Sequence, residues 1–192
     1  ENKYLTNKKN LKNVRKFMET NKQMKIFLFL ISIFALSQFR LIDHPWNFTP
    51  VIAFGILSGY YLKNVIYGCT LIITSMILGD LIIGFHYLIL FTYVGLLFSV
   101  IIGKYLKQLK TVQLFLSSII SSLVFFTVSN FGVWLLSGFY AKSFQGLVDC
   151  YIAAIPFFRS TLISTIIFVF ILKWVFDQLK LNSPLIKQKK YS

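Results

Sequence analysis

The chain has 192 residues, of which 56% are hydrophobic and only 14% charged, with a mean hydropathy of +0.70 and a formal charge of +14. A soluble domain carries roughly 25% charged residues, so this composition argues against one. The 21 Phe and 10 Tyr, set in long apolar runs, exclude disorder for everything except the two ends. A small all-α membrane protein is expected.

Residues 1–23 form a basic extension rich in Asn and Lys that is expected to be disordered, and Met24-Lys25 reads as a natural start. Apolar runs between polar breaks then predict six helices over 24–40, 50–62, 65–83, 87–103, 112–137 and 156–176. Together they make one membrane domain over 24–178, followed by a basic tail over 179–192. The run Ala35-Leu36-Ser37 has the look of a signal-peptide cleavage site, but Gln38-Phe39-Arg40 continues straight into a polar motif, so retention is expected. The second helix is short, reaching about 20 Å against a hydrocarbon core of ~30 Å. It is read as a span joined to the third by a tight turn at Lys63-Asn64.

Lys and Arg sort cleanly by side. With the N-terminus in the cytoplasm, seventeen of the twenty fall inside, leaving Arg40, Lys142 and Arg159 outside. Both termini are then cytoplasmic. Asp43, Asp80 and Asp149 fall outside, so the outer face is neutral and the inner face carries the positive charge. The basic balance therefore reports topology and affinity for an anionic leaflet; no nucleic-acid-binding pattern accompanies it. Cys69 and Cys150 lie on opposite sides in this arrangement and read as packing residues, with no disulfide between them.

The polar residues that can carry recognition gather at the outer end. The first outer connection reads Arg40-Leu-Ile-Asp43-His44-Pro45-Trp46-Asn47-Phe48-Thr49-Pro50, and Gly79-Asp80 and Gly84-Phe85-His86-Tyr87 follow. Then come Ser129-Asn130-Phe131-Gly132-Val133-Trp134, and a last stretch with Tyr140, Asp149, Tyr151, Pro156 and Arg159-Ser160. Arg is rare here, with three against seventeen Lys. Arg40 and Arg159 therefore point to a need for a planar, permanently charged fork, either for a ligand or for pairing with Asp43 or Asp80. Asp80 ends an otherwise apolar helix, where an ionisable group is costly and faces a cavity or a partner. Trp46, Trp134, Tyr140 and Tyr151 suit both an interfacial aromatic belt and stacking on a flat ligand.

The candidate substrate contacts are Arg40, His44, Trp46, Asn47, Asp80, His86, Asn130, Trp134 and Arg159. Asp43, His44, Asp80 and His86 lack the close spacing of a tight metal pair, so no metal and no cofactor is assigned. There is no phosphate-binding loop, no G-x-S-x-G elbow and no H-E-x-x-H helix. Gly55 and Gly59 form a G-x-x-x-G for close helix packing, within one chain or between chains, and Ser118 and Ser122 continue the small-residue theme.

The run Arg40…His44-Pro45-x-Asn47-Phe48-Thr49-Pro50 resembles the hallmark of a family of uncharacterised small bacterial membrane proteins regarded as transport proteins. That family is similar to the S components of energy-coupling-factor vitamin transporters. Gly79-Asp80-Leu-Ile-Ile-Gly84-Phe85-His86, the 129–134 run and Cys150-Tyr151-x-Ala-Ala-x-Pro156-Phe157-Phe158-Arg159 extend the resemblance over about residues 39–165. It departs from the pattern at Asp43 and Trp46, where Pro is usual. The first helix also lacks the Ala-x-x-x-Ala with which many S components meet their coupling subunit.

The resemblance implies a six-transmembrane-helix, S-component-like bundle in the bacterial cytoplasmic (inner) membrane. It would have an outward-facing ligand pocket and an energy-coupling transmembrane subunit with ATPases as partner. The expectation is a non-enzymatic substrate-binding subunit for uptake of a small water-soluble nutrient, vitamin-like in character. The other readings are a structural or assembly subunit, a membrane enzyme using His44 or His86 as base, and a metal transporter.

Overall fold

A computed structural model gives the fold and describes residues 31–39, 41, 47–62 and 64–178. The expected contacts Arg40, His44 and Trp46 lie outside these residues. Every regular element among the described residues is a helix. Residues 31–39 form α1, followed by α2 (Val51–Leu62), α3 (Val65–Ile83), α4 (Ile89–Tyr105), α5 (Thr111–Leu136), α6 (Phe144–Ala153) and α7 (Ile155–Gln178). From α2 on, the expected helices start and stop within two residues of the observed ones. The exception is α6, which stands where an irregular connection was expected.

Three helices, α3, α5 and α7, are long and apolar enough to cross a membrane, while α2 and α4 are apolar but shorter. At 12 residues, α2 is only about 18 Å long. It is nonetheless among the most enclosed elements, with Val51, Ile52, Ala53, Ile56 and Leu57 all but inaccessible. The short helix sits within the bundle, packed on α4, α3, α7 and α5.

The lipid-like surface explains this arrangement. Large apolar side chains such as Ile82, Leu90, Phe115, Leu123, Ile163 and Trp174 are exposed, whereas Ser75, Ser99, Ser118, Ser122, Ser164 and Thr165 are buried. A water-soluble protein distributes these the other way. Between membrane helices, small residues let backbones approach, and most of these hydroxyls are satisfied locally, those of Ser121 and Ser122 excepted among the described residues. Ser118 Oγ donates to Leu114 O (2.8 Å), Ser75 Oγ to Leu71 O (2.6 Å) and Thr165 Oγ1 to Thr161 O (2.7 Å).

The closest approach is between α2 and α4. A Cβ on Gly103 would overlap the Ile56 carbonyl oxygen, one on Gly59 the Val100 carbonyl oxygen, and one on Gly55 the Ser99 hydroxyl. The G-x-x-x-G of α2 is thus used within one chain, against a glycine of α4.

Local capping fixes the helix ends. Asn64 Oδ1 accepts from Ile66 N (2.9 Å) to start α3, and Gly84, at φ 106°, stops it while donating to Asp80 O (2.8 Å). Ser143 Oγ accepts from Gly146 N (3.2 Å) to start α6. Lys142 Nζ donates to the carbonyls of Trp134 and Leu135, capping the end of α5 with a positive charge where the helix dipole favours one.

Candidate functional site

α3 and α5 finish at the same end of the bundle where α2, α4 and α7 begin. There a cavity of about 650 Å³ opens. The segment before α2 contributes Asn47 and Thr49, the α3–α4 connection His86 and Leu88, and α4 Thr92 and Leu96. Phe125, Phe126, Ser129 and Asn130 come from α5, Cys150 from α6, and Phe157, Phe158 and Thr161 from α7, with Tyr140 from the α5–α6 connection. Among the described residues the lining holds no Lys, Arg, Asp or Glu. It combines aromatic walls with a few neutral polar groups, the usual make-up of a small-molecule site.

Several of those polar groups are spoken for by the fold. Ser129 Oγ donates to Phe125 O (2.7 Å) and Thr161 Oγ1 to Phe157 O (2.9 Å). Asn130 Nδ2 donates to Phe126 O (2.8 Å), which leaves its side-chain oxygen as an acceptor. The side chains of His86, Thr92 and Tyr140 make no hydrogen bond among the described residues. Asn47 holds the rim in the left-handed region at φ 59°, a conformation Asn tolerates better than bulkier residues.

Of the residues singled out from sequence, the structure brings Asn47, His86 and Asn130 to the cavity. Asp80 is not in the lining. It is fully buried and accepts a 2.7 Å hydrogen bond from Tyr93 on Oδ2, one turn beyond Met76 of the cavity wall. Trp134 is also outside: its Nε1 donates to Ala141 O (3.0 Å) and Lys142 Nζ stands 5.4 Å from the ring centre. Its role is to pin the α5–α6 connection. Arg159 is exposed on α7 and does not line the cavity.

Thr92 is a contributor that the sequence did not single out, and Tyr140, named there as a belt or stacking residue, was not among the chosen contacts. Thr92 sits inside the apolar run Ile89-Leu90-Phe91-Thr92-Tyr93, where one hydroxyl gives no signal. Tyr140 reads equally well as a belt residue.

Cys150 is buried in α6, lines the cavity and donates to Asn130 O (3.5 Å). Burial pushes its thiol above the ordinary value, only partly offset by the Trp134 backbone and the Lys142 charge. A folded-state pKa above the usual range leaves less thiolate at neutral pH, so alkylation is slow and accelerates as pH rises. In a Cys69→Ser background, a small maleimide at pH 7.5 is expected to label Cys150 well below the rate of a free thiol. A ligand seated in the cavity lowers that rate further. Labelling at the free-thiol rate would show that Cys150 is not enclosed.

A second space, an apolar groove of about 310 Å³, lies on the other side of Phe126. Leu147, Val148, Tyr151 and Ile152 of α6 and Ile155 of α7 complete it. Tyr151 fixes this corner: its hydroxyl donates to Thr127 O (2.7 Å) and its ring packs on Phe126 (5.4 Å between centroids). Phe126 in turn meets Phe158 at 4.9 Å. Among the described residues no three His, Cys, Asp or Glu side chains stand together as a metal site.

No curated protein and no solved structure matches the chain. A family model does, over residues 18–186, which takes in every described helix and the whole cavity: the chain belongs to the family of unknown function DUF6580.

Proposed function

We propose that this protein is a substrate-binding membrane subunit for the uptake of a small water-soluble, vitamin-like nutrient, with the ligand seated in the 650 Å³ cavity. In this reading the bundle is S-component-like, with six spans and both termini cytoplasmic, and sits in a bacterial cytoplasmic membrane. The cavity then faces outward, and an energy-coupling subunit with ATPases drives transport. The observation that carries the reading is the convergence of Asn47, His86 and Asn130, chosen on sequence alone, on one aromatic-walled cavity. His86, Thr92 and Tyr140 bring polar atoms that the fold itself does not engage.

The test is thermal unfolding of the detergent-purified protein against vitamins, nucleobases and divalent metals. A selective ligand raises the midpoint by mass action, about 2.7 kcal/mol of stabilisation at a hundredfold excess over Kd. The shift is expected to fall sharply in His86→Ala and Asn130→Ala. A shift given only by divalent metals would favour a metal transporter. No shift from any compound with a normally folded protein would sink the uptake reading in favour of an assembly subunit.

A further inference from the structure

The polar side chains of the cavity wall differ in the hydrogen-bonding role that remains to them. A hydroxyl carries one hydrogen and accepts on its lone pairs, whereas a carbonyl oxygen can only accept. Ser129 Oγ gives its hydrogen to Phe125 O (2.7 Å) and Thr161 Oγ1 gives its own to Phe157 O (2.9 Å). Both residues line the cavity, and both keep acceptor capacity alone. Asn130 gives an Nδ2 hydrogen to Phe126 O (2.8 Å), which fixes the two ends of the amide, and its Oδ1 accepts from no described residue.

This polarity is set by position in the sequence. Each of the three side chains bonds the carbonyl four residues before it, so helix formation itself takes up the hydrogens. Ser129 and Asn130 are neighbours on α5, and Thr161 stands on α7. The rings of Phe126 and Phe158 meet at 4.9 Å and join the two helices, so oxygens fixed as acceptors on both serve one space. Phe125, Phe126 and Phe157, whose carbonyls take the hydrogens, line that space as well. Acceptors in an apolar enclosure select a ligand that donates to them, because an analogue without the donor leaves them unsatisfied. Aromatic walls favour a flat ring.

We propose that the α5–α7 wall of the cavity recognises a heteroaromatic compound carrying an amino or carboxamide group, its N–H hydrogens received by the oxygens of Asn130, Ser129 and Thr161. This rests on the reading of the cavity as a ligand site and narrows its substrate class. His86, Thr92 and Tyr140, which can donate or accept, serve the rest of the ligand.

The experiment titrates the detergent-purified full chain, by ligand-observed NMR and by thermal unfolding, with matched pairs in which NH2 is replaced by CH3 of nearly the same shape. The pairs are nicotinamide with 3-acetylpyridine and adenine with 6-methylpurine, each at up to millimolar concentration. In at least one pair the amino member is expected to bind about tenfold tighter than its methyl counterpart. Asn130→Leu, which removes the amide at similar size, should reduce that preference to about threefold or less and leave the methyl member's affinity nearly unchanged. Thr161→Val keeps the side-chain shape and should lose part of the preference, which guards against misfolding of the first variant. Equal binding within both pairs, or tighter binding of the methyl members, would overturn the proposal. A preference unchanged in both folded variants would do the same. Binding of some vitamin while neither amino compound binds would overturn it and leave the uptake reading standing. No binding by any compound would sink both.

Discussion

Gly103→Ala is expected to destabilise the protein more than any other single methyl addition in the bundle. The new Cβ would overlap the carbonyl oxygen of Ile56 and approach its Cα to 2.9 Å. Both atoms belong to the backbone of α2, so no rotamer change relieves the clash. The helices must separate, and overpacking of this kind costs about 1–3 kcal/mol or more. Gly59→Ala meets the Val100 carbonyl and the Lys104 amide nitrogen and should cost a similar amount. Gly55→Ala is expected to be milder, because what it meets first is the Ser99 hydroxyl. That hydroxyl donates only to Leu96 O (2.6 Å), and Ser99→Ala should recover part of the loss. Chemical or thermal unfolding of the four variants in one detergent checks the order. Wild-type stability for Gly103→Ala would mean that α2 and α4 do not approach as described. Because α2 is enclosed, spreading it from α4 also moves Val51 at the cavity rim, so the same variants should bind any cavity ligand less tightly.

Sequence and structure agree where the physics is one-dimensional. Long apolar runs bounded by Asn64, Gly84 and the Lys-rich 104–110 stretch end where the helices end, because caps and charges act within a turn. The helix α6 escaped notice for a related reason. At 10 residues, with Gln145 and Asp149 on it, Phe144–Ala153 has too short an apolar pattern to stand out from a connection. Its start was nevertheless written at Ser143, the residue that caps it. The sequence also hid which face is which. Ser117, Ser118, Ser121 and Ser122 lower the average hydropathy of α5 wherever they point, and only the packing shows all four buried. At the site, Asn47, His86 and Asn130 were legible because polar residues among apolar ones at one end of a bundle have few other uses. Trp134 was misleading in that its nitrogen serves a neighbouring carbonyl, at Ala141, that sequence spacing does not reveal.

Asp80 is expected to act on stability rather than as a ligand contact, and its substitutions separate the two roles. It is fully buried in the last turn of α3, between exposed Leu78 and Leu81, and its Oδ2 accepts from the Tyr93 hydroxyl. Asp80→Ala removes the acceptor and leaves the half-buried Tyr93 hydroxyl without that bond, at a cost of about 1–3 kcal/mol. Asp80→Asn keeps an oxygen where the hydroxyl can use it and should retain more of the stability. Tyr93→Phe removes the donor from the other side. In a double-mutant cycle with Asp80→Ala the two losses should be non-additive by about 0.5–3 kcal/mol, as for residues in direct contact. Measured well below the unfolding midpoint, ligand affinity is expected to fall far less in Asp80→Asn than in Asn130→Ala. The amide of Asn130 lines the cavity, and the carboxylate of Asp80 does not. The opposite ranking, with Asp80→Asn abolishing binding in a stable protein, would place the carboxylate in contact with the ligand. Additive losses in the cycle would break the link to Tyr93. The expected result leaves recognition to His86, Thr92, Asn130 and Tyr140, with Asp80 holding α3 to α4 so that the His86 connection keeps its place between them.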